Sequence, residues 1–131
     1  MRTIKFRGKG VLRGQWAYGL LAMLDETSWG LLGKIYSHED EEITTIIDGN
    51  TIGQFTGLFD INGKEIYEGD ILALAGVETE RLEVRFVRGV FAFLWGGNLE
   101  EEAPIDQPTH CCVEVIGNIH DNPELLKGGD Q

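Results

Sequence analysis

Cysteine, long apolar runs and basic charge are all scarce in this chain, and each scarcity closes off a class of protein. Two cysteines, adjacent at Cys111 and Cys112, leave no disulfide framework to brace a small fold. Stability must therefore come from an apolar core, which a chain of 131 residues is long enough to bury as one domain. The longest apolar stretches, residues 19–24 and 90–95, fall far short of the roughly 20 residues that a membrane helix needs. The N-terminus, Met1-Arg-Thr-Ile-Lys-Phe-Arg7, has no apolar segment of the length that marks a secretory signal. A soluble protein of a reducing cytoplasm, without a membrane partner, is the expectation. Lysine and arginine number 11 against 22 acids, a net charge of −11. Five of the bases (Arg2, Lys5, Arg7, Lys9, Arg13) lie in the first thirteen positions, so the other 118 residues carry 6 bases against 22 acids, a balance of −16. Phosphate backbones are repelled by such a body, and general duplex binding is disfavoured unless a local patch carries it. The phosphate-cradling patterns GxGxxG and GxxxxGK[ST] are absent too.

What is present is strand and turn chemistry. Ile4 and Phe6 alternate with Thr3, Lys5 and Arg7, which predicts an opening strand with one apolar and one basic face. Arg13-Gly14 reads as a turn into an aromatic-rich strand over Gln15–Leu24, and Trp29–Tyr36 as a further short strand. Ile43–Ile47 is β-branched throughout and is predicted to stop at Asp48-Gly-Asn50. Asn62-Gly63 lies between apolar segments and suits a type I′ hairpin turn, while Glu68-Gly69-Asp70 turns the chain into a strand over Ile71–Ala75. Leu82, Val84 and Phe86 alternate with Glu83 and Arg85, and Arg88-Gly89 leads to the continuous apolar run Val90–Trp95. Val113–Ile116 is the last strand. Helix signals agree only at the tail, where Asn122 suits an N-cap, Pro123 the first helical position and Glu124 the first turn, with Leu125 and Leu126 packing down.

Three blocks together resemble the YopX family of small phage and prophage proteins. They are Met1–Lys9 with Trp16-Ala-Tyr-Gly19, the central run Thr51–Ile71 containing Gly63-Lys-Glu-Ile-Tyr-Glu-Gly-Asp-Ile71, and Val113-Glu-Val-Ile-Gly-Asn-Ile-His-Asp-Asn-Pro-Glu-Leu-Leu126. Order and spacing match over about half of the chain; His120, where an aromatic residue is common, and the acidic loop at 39–42 depart from the pattern. The resemblance implies a mainly β protein of phage or prophage origin, with a barrel-like sheet in the C-terminal half and no assigned catalytic residue. The overall expectation is a mainly β chain of short antiparallel strands and hairpins closed by one short C-terminal helical turn. It forms a single domain over 1–131, with an N-terminal β part over 1–50 and the barrel-like part over 51–126.

Several constellations invite chemistry. Asp60-Ile-Asn-Gly-Lys-Glu65 begins like a calcium loop, but its sixth position is Glu65 rather than glycine and its twelfth is Ile71 rather than glutamate. His110-Cys-Cys112 with His120 offers soft ligands, yet adjacent strand residues point to opposite faces and no second cysteine pair completes a zinc set. Glu65, Glu68 and Asp70 could serve a metal-dependent enzyme, and they could equally build a turn in which Asp70 accepts from nearby amides while Ile71 enters the core. Lys5, Arg7 and Lys9 beside Trp16 could form a nucleic-acid platform. The sequence therefore favours a non-enzymatic interaction module without cofactor, binding a protein partner or itself; nucleic-acid binding is the alternative and metal-dependent catalysis the third reading.

Overall fold

The computed structural model describes residues 4–37, 43–74, 77–95, 102–104 and 113–130. Its elements are ten strands in chain order: β1 Phe6–Gly10, β2 Trp16–Thr27, β3 Gly30–Ser37, β4 Ile43–Phe59, β5 Glu65–Tyr67, β6 Asp70–Leu74, β7 Val77–Val87, β8 Val90–Trp95, β9 Glu102–Pro104 and β10 Val113–Asn118. A 3-10 helix, η1, covers Pro123–Asp130. The chain divides into two compact units, Met1–Phe55 and Thr56–Gln131. Mainly β architecture with antiparallel hairpins and a short helical tail is what the alternation of residues had implied.

In the first unit every neighbouring pair of strands is antiparallel: β1 with β2, β2 with β3, β3 with β4, and β4 back with β1. The pairings thus run in a closed circuit, and Ile35, Ile47 and Phe55 are buried. β4 departs from the sequence expectation. It does not stop at Asp48-Gly-Asn50 but runs on to Phe59, because that segment is a distortion inside the strand rather than a turn that ends it. Between Arg7 and Lys9 the β1–β4 register jumps from Gly53 to Asp48, so the four residues 49–52 of β4 stand opposite the single residue Gly8, an excess of three. Thr51 stabilises the distortion, donating to the Asp48 carbonyl at 2.6 Å and accepting the Lys9 amide at 2.8 Å. Gly49 is required by space, since a Cβ there would lie 2.6 Å from Leu31 Cγ.

In the second unit, β5 returns along the last residues of β4, where the Thr56 hydroxyl donates to the Ile66 carbonyl. The other strands form a sheet in the order β10-β6-β7-β8-β9. This corrects the expectation of a barrel-like C-terminal half. The described strands make an open sheet with β9 and β10 at its two ends, and the three-residue β9 ends in Pro104, which has no amide to donate. Ile66, Leu72, Leu82, Val84, Phe93 and Val113 form a cluster of nearly inaccessible side chains, each worth about 1.5–3 kcal/mol of burial. The opposite face of β7 and β8 adds a second cluster of Val87, Ala92 and Leu94. Burial on both faces explains the uninterrupted apolar character of β8.

Turn chemistry differs from expectation at one place and is sharper at another. At Asn62-Gly63 only Gly63 has positive φ, +82°. The Gly63 amide donates to the Asp60 carbonyl and the Asp60 amide to the Lys64 carbonyl, so the hairpin closes by a turn over Asp60–Gly63 whose last residue is a left-handed glycine, not by a type I′ turn. The type I′ pattern falls instead at Arg88-Gly89, with φ of 50° and 86°, joining β7 to β8. At the tail, Asn122 closes η1 through its carbonyl, which accepts the Leu125 amide, while its side chain reaches back to the Asn118 amide at 3.3 Å. The expected side-chain N-cap is therefore replaced by a backbone 3-10 contact.

Candidate functional site

The carboxylates of the central run are structural in their geometry. Asp60 is 6% exposed and accepts three backbone amides: Asn62 and Lys64 at Oδ1, both at 2.8 Å, and Val115 at Oδ2 at 2.9 Å. One side chain thereby fastens the β4–β5 turn to β10. Burial alone would push the Asp60 carboxyl upward, but the three amide donors, helped by the Lys64 charge, outweigh it and hold its pKa below the ordinary 3.8. Asp70, 1% exposed, accepts the Tyr67 amide at 2.7 Å across the Glu68-Gly69 turn, and Ile71 is fully buried as expected. Glu65 accepts the Tyr67 hydroxyl at 2.8 Å. Among the described residues, no group of three or more histidine, cysteine, aspartate or glutamate side chains is placed to hold a metal ion. Glu65, Glu68 and Asp70 are thus neighbours in sequence that the turn does not converge on one point. His110, Cys111 and Cys112 lie outside the described residues; His120 is half-buried, its amide donating to Asn118 Oδ1.

The basic strand is woven into the first unit. Arg7 is 6% exposed, with its guanidinium 4.7 Å from the centre of the Trp16 ring. Lys5 Nζ lies 5.9 Å from the Phe55 ring centre. Both contacts are cation–π arrangements, which occupy the aromatic faces that a base would stack on. Lys9 is half-buried and faces a different neighbourhood, described below.

Two surface features were not singled out from sequence. The first is a face of β2, β3 and β4. Register puts Leu20, Tyr36 and Thr44 in one row and Met23, Lys34 and Ile46 in the next. Directly paired residues share a face, as do positions two apart on β3, so both rows look the same way, opposite to the buried Ile35. Leu20 is 53% exposed, Met23 38% and Ile46 44%. Three strands therefore present large apolar side chains to solvent on one face. The pattern is hidden in sequence because each strand contributes only one or two of these residues.

The second feature is a cleft of about 410 Å³ lined by Lys9, Gly10 and Val11 of β1 and its end, Trp29 to Leu32, and Asp48 and Asn50 of the β4 distortion. Trp29 sits on the tight β2–β3 turn. The Thr27 hydroxyl donates to the Gly30 carbonyl at 2.8 Å and accepts the Trp29 amide at 3.0 Å, which fixes the turn. On the opposite wall, Asn50 donates to Asp48 Oδ1 from both its backbone amide and its side chain.

Among the described residues, no helix is long and apolar enough to cross a membrane. No curated protein matches the chain. Solved structures do, two of them over nearly their whole lengths. Protein EF1440 from Enterococcus faecalis is 26% identical, with 96% of this chain and 99% of that chain covered and a TM-score of 0.62. Protein yopX from Bacillus subtilis is 22% identical, with 98% of each chain covered and a TM-score of 0.51, which shows a shared fold. The sequence profile of the YopX protein family matches residues 5–127, which contain all three blocks of the resemblance except the first few residues. The chain belongs to the YopX protein family.

Proposed function

We propose that this protein is a non-catalytic interaction module, encoded by a phage or integrated prophage and working in the cytoplasm of the host cell, which binds a protein partner through the outer face of β2–β4. The observation that carries the reading is the set of exposed apolar side chains, Leu20, Met23 and Ile46, spread over three adjacent strands with Tyr36 and Lys34 between them. Apolar side chains grouped on a sheet face that looks to solvent are a recurrent mark of interfaces. The bacterial sources of the two solved relatives fit a prophage gene. A binding role also agrees with the engagement of Asp60 and Asp70 by backbone amides, which gives these carboxylates a task in the fold.

The test compares the wild-type chain with a Leu20→Glu/Ile46→Glu variant in affinity capture from lysogenic host cells and in sedimentation velocity. Both side chains are solvent-facing, so the variant keeps its fold, checked by its unfolding midpoint. Loss of one specific captured protein, or of a wild-type dimer, supports the reading. Identical behaviour of the two proteins in both measurements overturns it.

A further inference from the structure

We propose that the cleft between the β2–β3 turn and the β4 distortion is a binding site for a neutral saccharide. Its volume of about 410 Å³ is within the range of small-ligand sites, roughly 300–1,000 Å³. Lys9, Asp48 and Asn50 bring charged and amide groups to a lining that also holds Trp29 and two leucines, a mixture that suits a ligand with both hydroxyl groups and C–H faces better than an apolar peptide. Trp29 supplies the one broad aromatic surface. It is 87% exposed, although a hairpin turn is readily made from small polar residues, and the two hydrogen bonds of Thr27 hold its backbone. An indole presented on a rigid turn offers an apolar face for the C–H surface of a sugar ring, together with a single N–H donor.

The polar wall fits the other half of a sugar. Asp48 pairs directly with Lys9 on β1 and with Leu32 on β3, so an anion, a cation and an apolar side chain stand in one row along the cleft. Asn50 is tied to Asp48 by two hydrogen bonds, which makes the carboxylate and the amide one preorganised unit. A hydroxyl both donates and accepts, and this wall holds donors and acceptors side by side. Charge selects against anionic ligands: the row of Lys9, Asp48 and Leu32 continues to Asp25 on β2, so one lysine stands with two aspartates, and residues 1–55 together hold six bases and seven acids. A phosphate chain would need a track of cations that the cleft does not have.

The site lies one row further along the same face of β3 and β4 as the apolar patch assigned above, Leu32 and Asp48 following Lys34 and Ile46, and the experiment keeps the two apart by residue. The full-length protein, labelled with nitrogen-15, is titrated at millimolar concentrations with maltotriose, cellotriose and chitotriose, and separately with oligothymidylate. The expected result is saturable movement of the Trp29 indole and Asn50 amide signals with at least one trisaccharide. Binding weakens roughly tenfold or more in Trp29→Ala and in Asn50→Ala, as removal of a central aromatic or polar anchor does. Both residues are exposed, so neither variant compromises folding, and Leu20→Glu leaves the titration unchanged. Silence with all three sugars overturns the proposal, as does equal binding by Trp29→Ala. Movement of the same signals with oligothymidylate alone, lost on adding salt, would assign the cleft to single-stranded nucleic acid and overturn it as well.

Discussion

Asp60 shows how one side chain can do in a fold what its sequence context attributes to another residue. The eye goes to Asn62-Gly63 as the turn signal, yet Asp60 supplies the acceptors for Asn62, Lys64 and Val115. Replacing it by asparagine leaves one acceptor oxygen and sets an amide donor against the others. The expected cost is about 2–3 kcal/mol in urea unfolding at neutral pH, the scale of a lost set of charge-assisted hydrogen bonds. The pH dependence has a definite sign. Because the folded carboxyl titrates below its ordinary 3.8, its contribution is complete above that value and is lost as pH falls through the folded pKa. Wild-type stability should therefore fall on acidification below about pH 4, and Asp60→Asn should flatten that slope. An equal slope in both proteins would mean that other carboxylates carry the acid response.

Elements were legible where a short local pattern decides them. Alternation placed β7 near its observed position, and the apolar run of residues 90–95 is β8 itself, whereas the opening alternation meets β1 only at Phe6 and Arg7 and its faces are not as expected, since the basic Arg7 is buried and the apolar Ile4 exposed. Turns were harder, because glycine serves two purposes that look alike in sequence. Gly63 is needed for its positive φ, and a Cβ there would meet nothing within 4 Å. Gly49 lies inside β4, at its distortion, and is needed because Leu31 leaves no room. Substitution separates the two cases. Gly63→Ala should cost about 1 kcal/mol, and Gly63→Asn noticeably less, since asparagine tolerates the left-handed region. Gly49→Ala should cost about 1–3 kcal/mol from overpacking, and Leu31→Ala should recover part of it. Unfolding midpoints of the four variants check both statements, and absence of recovery in Gly49→Ala/Leu31→Ala would show that the Leu31 side chain is not the obstacle.

On the scale of the whole molecule, charge and apolar surface pull in different directions. The net charge of −11 opposes association with polyanions, and the leading basic strand spends Lys5 and Arg7 on the aromatic rings of Phe55 and Trp16. A titration with duplex DNA at low salt should therefore give no binding; a complex that weakens steeply with salt would instead put Lys9 and its neighbours in charge of the function. Apolar side chains on the β2–β4 face remain exposed despite the strongly charged composition, and burial of that face is what the proposed interaction would contribute.

Family and fold class were determined by the sequence itself, because both rest on local information: residue alternation, turn dipeptides and three ordered blocks that resemble one family. Tertiary structure alone decided which strands pair, and with that everything about the candidate sites. The open second sheet, the circuit joining β1 to β4, the row of Lys9, Asp48 and Leu32 and the apolar face of Leu20, Met23 and Ile46 all depend on register between distant segments. A one-residue slip in register reverses the face of every side chain in a strand, and no window of sequence contains that choice.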